Sequence, residues 1–198
     1  MSKLRPTLLA LTGLVLCACG KDTPEANATS VAVGVARTDS IEATAFPVTY
    51  KRVVREKWTV GPEGGGALRF GMSLAQAIVA TKGDFFTRQA NLDCSYFRTS
   101  RSPIGVKVMV VDRKVVRIDV DSGTTVTPEG IRIGSTESDI HRAYGDRVSV
   151  GPHKYTDGHT MTVGSDGDFR FVFETDGSRV TRYHVGIVPA VEWVEGCS

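Results

Sequence analysis

The sequence lacks an excess of either charge, an apolar run long enough to cross a bilayer, and the common short signatures of hydrolases and metal enzymes. Twenty-four Lys+Arg stand against 22 Asp+Glu in 198 residues; without Lys3 and Arg5, which lie in a leader segment, the balance is 22 against 22. Attraction to nucleic acid or anionic lipid needs clustered, uncompensated Lys and Arg, so no nucleic-acid partner is expected. The apolar run Leu8–Leu16 falls short of the roughly 20 residues of a spanning helix. Beyond the leader there is no nucleophile elbow, His-Glu-x-x-His, paired Cys-x-x-Cys or Ser-x-x-Lys, and the chain reads as a non-enzyme without a cofactor. A content of 41% hydrophobic, 23% charged and 8% aromatic residues excludes a collagenous, coiled-coil or strongly disordered chain.

What is present begins with Lys3 and Arg5, the run Leu8–Leu16, and then Leu16-Cys17-Ala18-Cys19, the layout of a secretory leader. An ordinary cleaved leader with a spare cysteine fits that layout. Leu-x-Ala-Cys also resembles the lipobox of bacterial lipoproteins, which implies cleavage after Ala18, diacylglycerol on Cys19, and, with Gly20 next, sorting to the outer membrane facing the periplasm. The expected membrane contact is through that lipid anchor only. Cys17 leaves with the leader and Cys19 is consumed, so Cys94 and Cys197 are the remaining thiols in an oxidising compartment and can form one bridge. The rival reading of Cys94 is a nucleophile, which needs a base beside it and a reduced thiol.

The expected organisation is a signal peptide over 1–18, a flexible tether over 19–44, a first α+β module over 45–125 and a second over 126–198. The modules come from self-similarity at a spacing of 63: Phe70-Gly71-Met72-Ser73-Leu74 lines up with Ile133-Gly134-Ser135-Thr136-Glu137. Ser73 and Thr136 stand at N-caps, Thr136 with Asp139 in a capping box, and Gly83 and Gly145 stand at helix ends. A period-two hairpin follows each helix, Val106–Val111 with Val115–Val120 and Phe169–Phe173 with Val180–Val185. Val108–Val110 maps onto Phe171–Phe173 at 63, and Arg117 onto Arg182 at 65. Further strands are expected at 48–60, 159–164 and 186–194, and a loop at Gly61–Gly66. The fold class is α+β: a tandem repeat of short helix plus antiparallel β-meander, with the helices packed on one face of a sheet.

The segments Gly71-Met72-Ser73-Leu74-Ala75-Gln76-Ala77 through Gly83, and Gly130-Ile131-Arg132-Ile133-Gly134-Ser135-Thr136 through Gly145, resemble the tandem modules of secreted beta-lactamase inhibitor proteins. In single copy they resemble the SmpA/OmlA-type outer-membrane assembly lipoproteins. The likeness covers about a quarter of the chain and speaks for fold more than function. It implies a lipid-anchored envelope binding protein, an inhibitor or immunity-type protein against a secreted hydrolase or toxin, or alternatively a structural assembly lipoprotein.

Candidate sites are few. His153, Asp157 and His159 offer zinc-type donors, but an extended 153–159 holds the imidazoles over ~13 Å apart, and Asp157-Gly158 reads as a turn. Asp119-Val120-Asp121 and Asp166-Gly167-Asp168 lack the twelfth-position Glu of a calcium loop, so no metal site is assigned. Alternation puts Val116, Ile118, Val120, Phe169, Phe171 and Phe173 on an inward face. Lys107, Met109, Val111, Arg117, Asp119, Arg170, Val172, Glu174, Arg182 and His184 fall on the outer one. Arg117, Arg170, Arg182 and His184 are taken as the surface for an unidentified envelope or secreted protein, bound by a monomer.

Overall fold

A computed structural model of the chain describes residues 53–88, 91, 93–164 and 167–197, within a unit spanning Thr49–Ser198. The expected leader, the expected lipidation residue Cys19 and the expected tether lie outside the described residues. Among the described residues no helix is long and apolar enough to cross a membrane.

The architecture is α+β with antiparallel sheet predominating. Three two-residue strands come first, β1 (Val60–Gly61), β2 (Gly64–Gly65) and β3 (Leu68–Arg69), paired in that order. This corrects two expectations: from 53 to 60 only Val60 is in a named strand, and the glycine-rich stretch is built into a sheet. The reason is close approach. Gly66, at φ +59°, lies against the Trp58 indole where a Cβ would collide, and Gly65 sits against Val60 and Ile118.

Helix α1 (Leu74–Ala80) is opened by Ser73 and α2 (Glu137–Tyr144) by Thr136, each with a capping box, to Gln76 and Asp139. The second helix stops at Gly145 as expected, whereas the first ends at Thr81, before Lys82 and Gly83 take positive φ. The other strands are β4 (Cys94–Phe97), β5 (Val106–Val111), β6 (Lys114–Val120), β7 (Val148–Pro152), β8 (His159–Gly164), β9 (Phe169–Thr175) and β10 (Val180–Ile187). They form one antiparallel sheet in the order β4-β5-β6-β10-β9-β8-β7, so β6 and β10 join the two halves at its centre. Strand β7 was not foreseen, and the strand expected over 186–194 ends at Ile187.

Both hairpins form as the alternation implies, and the same backbone bonds recur in each half. Gly71 N donates to Val115 O and Gly134 N to Val180 O, both at 2.8 Å; Leu74 N donates to Arg113 O at 2.7 Å and Glu137 N to Ser178 O at 3.1 Å. Each hairpin also carries a bulge at one position, where Val116 and Thr181 fall between paired residues. The register sets Met109 opposite Arg117 and Glu174 opposite Arg182, so the strands correspond at 65 rather than at the 63 read for Val108–Val110. A slip of two residues keeps every side chain on its face, which is why the alternation survived it.

The core face carries Val106, Val108 and Val110 of β5, Ile118 and Val120 of β6, Tyr183 and Val185 of β10, Phe171 and Phe173 of β9 and Met161 of β8. Ala77 of α1 and Ile140 and Tyr144 of α2 are buried in the same cluster, and the Tyr144 ring lies 5.4 Å from Phe171. Val116, expected inward, instead packs with Met109 and Ala190 on the opposite face, because the bulge turns it there.

Candidate functional site

The outer face reads across the strands in rows. Lys107, Asp119, His184 and Val172 are register partners on β5, β6, β10 and β9; Met109 and Arg117 occupy the next row, and Arg182 and Glu174 another. These residues do share one face. What the alternation did not reveal is that the C-terminal segment covers it.

After Ile187 the chain turns through the cis Val188-Pro189 bond and a 3-10 turn, Ala190–Glu192, and ends on β4 in the Cys94–Cys197 disulfide, with a Cα–Cα distance of 5.4 Å. Polar groups of the sheet fasten this strap. Arg117 is 4% exposed; its Nη1 donates to Trp193 O at 2.6 Å and Ala190 O at 3.3 Å, and its Nε and Nη2 donate to Asp119 Oδ1 at 3.0 and 2.5 Å. Burial holds the Asp119 carboxyl above its ordinary range, with Arg117 opposing, and burial together with Asp119 pushes Tyr96 up to about 12. Lys154 reaches Glu195 at 3.0 Å.

His184 is 5% exposed, and its Nε2 lies 2.9 Å from the Val191 carbonyl; the carbonyl only accepts, so Nε2 carries the proton. Burial, then the neighbouring Arg117, pushes its pKa from 6.5 down to about 3, with Arg182 adding to the shift and the Val191 bond opposing it. A histidine kept neutral in the fold contributes stability that is fully present above its unfolded pKa and is lost as pH falls toward its folded one. The urea midpoint should therefore fall between about pH 6.5 and 4.5, before most carboxylates protonate. His184→Gln, whose amide can donate to the same carbonyl, should flatten that window; an unchanged slope would remove His184 as its cause.

The sequence-assigned partner surface is thus corrected at Arg117 and His184. Arg117 and His184 are buried under the strap and hold it down. Arg182, with half its side chain exposed, donates through Nε to Glu174 Oε2 at 2.6 Å, and Arg170 Nη1 donates to Gly167 O at 2.6 Å and Phe169 O at 2.7 Å. His153 and His159 are drawn to different carboxylates, Glu174 at 2.6 Å and Glu137 at 2.8 Å. Asp119 and Glu174, expected on this face, turn out to be the partners of Arg117 and Arg182, and His153, expected as a zinc-type donor, meets Glu174 instead.

Two spaces meet at Tyr96, one of them lined by the strap. Beneath it a polar cavity of about 230 Å³ is lined by Tyr96, Lys107, Arg117, Asp119, Arg182 and Glu195, among others. On the β4 side an open groove of about 620 Å³ runs past Arg55, Phe86, Arg88, Arg98 and Ile104.

Sheet and strap together define an antiparallel α+β protein whose C-terminal segment is bridged back onto an edge strand. No family model matches the chain, and no curated protein matches it. It is similar to the crystal structure of an extracellular protein containing a SCP domain from Bacillus anthracis str. Ames, with 11% identity and a TM-score of 0.43 over 60% of this chain and 44% of that one. This chain therefore spans less than half the length of that protein, and a likeness at this level carries no argument about function.

Proposed function

We propose that the protein is a lipid-anchored binding protein of the bacterial cell envelope, held by Cys19 in the outer membrane and facing the periplasm. Its body consists of two copies of one α+β module, and it acts without catalysis as an inhibitor or immunity-type protein against a secreted hydrolase or toxin. The observation that carries the reading is the Cys94–Cys197 bridge, since such a pairing persists outside the reducing cytoplasm and the leader supplies the export route. The recurrent caps, bulges and helix-to-hairpin bonds support the duplication. A structural role in envelope assembly is the alternative, favoured by the resemblance to SmpA/OmlA-type lipoproteins alone.

Cys19→Ser should move the protein from the outer-membrane fraction to the soluble periplasm and remove the diacylglycerol mass from its N-terminal peptide. Wild-type protein that is already soluble and carries no lipid would overturn the anchor. Affinity capture from envelope extract separates the two roles: a stoichiometric soluble hydrolase or toxin supports inhibition, and integral outer-membrane proteins support assembly.

A further inference from the structure

The strap ends at Cys94, at the start of β4, and no strap residue lines the groove toward the other end of that strand. There the chain adds an antiparallel bridge, with Phe86 N donating to Arg98 O at 3.0 Å and Arg98 N to Phe86 O at 2.9 Å. Residues opposite each other in such a pair share a face, as do residues two apart along each strand. Phe86, Arg88, Tyr96 and Arg98 accordingly point to one side, and all four line the groove, while Phe85 and Phe97 stack on the other side at 4.8 Å.

The groove's lining has three guanidiniums, those of Arg55, Arg88 and Arg98, and no carboxylate. Arg55 spends one nitrogen on Ser102 O at 3.0 Å; among the described residues neither Arg88 nor Arg98 forms an ion pair within 4 Å, although Asp121, paired with Lys107, feels the Arg98 charge. Two apolar side chains stand open at the same place, Phe86 at 47% and Ile104 at 61% exposure. The three arginines come from separate segments along an open trough, a layout suited to an extended ligand rather than to one compact anion. Guanidinium forks match carboxylates in two-bond geometry, and exposed Phe and Ile offer a seat for an apolar side chain between them.

We propose that this groove binds an extended acidic segment of a protein partner, in which carboxylates meet Arg88, Arg98 and Arg55 and an apolar side chain rests between Phe86 and Ile104. The inference rests on the binding role proposed above and names the chemistry of its partner.

The test uses the full lipidated protein in neutral detergent and a pool of end-capped, fluorescent hexapeptides alternating Asp or Glu with Leu, Ile, Phe or Tyr. A second pool carries Asn or Gln in place of the acids. Anisotropy should show binding of the acidic pool only, weakened by added NaCl and reduced about ten-fold or more in Arg88→Gln/Arg98→Gln, whose thermal unfolding stays as in the wild type. If that variant is less stable, the salt dependence and the amide pool still decide the matter. Equal binding of the two pools, or unchanged binding by the folded variant, overturns the proposal. So does saturable binding of inorganic phosphate or of anionic lipid vesicles in place of the peptides. If the peptides fail while the protein still captures a soluble hydrolase or toxin, the groove assignment falls and the binding role stands; if that capture fails too, the binding role itself falls.

Discussion

Removing the disulfide, as Cys94→Ser/Cys197→Ser, should lower the thermal midpoint by about 10–15 °C. The two cysteines are 103 positions apart, and closing a loop of that length restricts the unfolded chain by about 4–5 kcal/mol in the chain-entropy treatment. The folded state adds a second contribution, because the bridge is the last tie of a strap otherwise held by Arg117, His184 and the exposed Lys154–Glu195 pair. With the tie gone, amide exchange should quicken first at Trp193 and Gly196, whose N–H groups bond only within the strap, and later in β6 and β10. A double mutant with the wild-type midpoint, or two freely alkylated thiols in natively isolated protein, would remove the bridge from the account.

Arg117→Ala should cost about 3–5 kcal/mol, whereas Arg182→Ala, at the equivalent position 65 residues on, should cost about 1 kcal/mol or less. The sequence alone makes these two arginines interchangeable. The structure separates them: Arg117 is 4% exposed and neutralises Asp119, so truncation strands a buried carboxylate and frees two strap carbonyls. Arg182 keeps half its side chain in solvent, and its partner Glu174 retains His153. Replacing both members of the buried pair by apolar side chains, Arg117→Met/Asp119→Leu, should recover most of the loss, since a well-packed apolar pair carries no stranded charge. Unfolding midpoints of the three variants and the wild type in urea check this ordering. Equal effects of the two single truncations would mean that the strap does not depend on Arg117.

The local grammar of the chain was legible before any coordinates. Ser73 and Thr136 announce helix starts because a hydroxyl there satisfies otherwise unpaired N–H groups, and the alternation through 106–120 and 169–185 announces hairpins because side chains change face at every residue. Counting cysteines left one possible bridge, and it forms. These are short-range or combinatorial facts, and the sequence by itself determines them.

Which face of the sheet meets water was decided only by the tertiary structure. Alternation sorts residues into two sets but does not say what lies over either one, and the cover here comes from residues 188–197, far along the chain from the β4, β5 and β6 strands they protect. The bulge at Val116 was equally out of reach, because an extra residue in one strand is defined by the strand it fails to pair with. Arg117 and His184 looked like surface groups because charge and polarity usually are solvated. They are interior because carbonyls of a non-local segment supply the bonds that water would otherwise make.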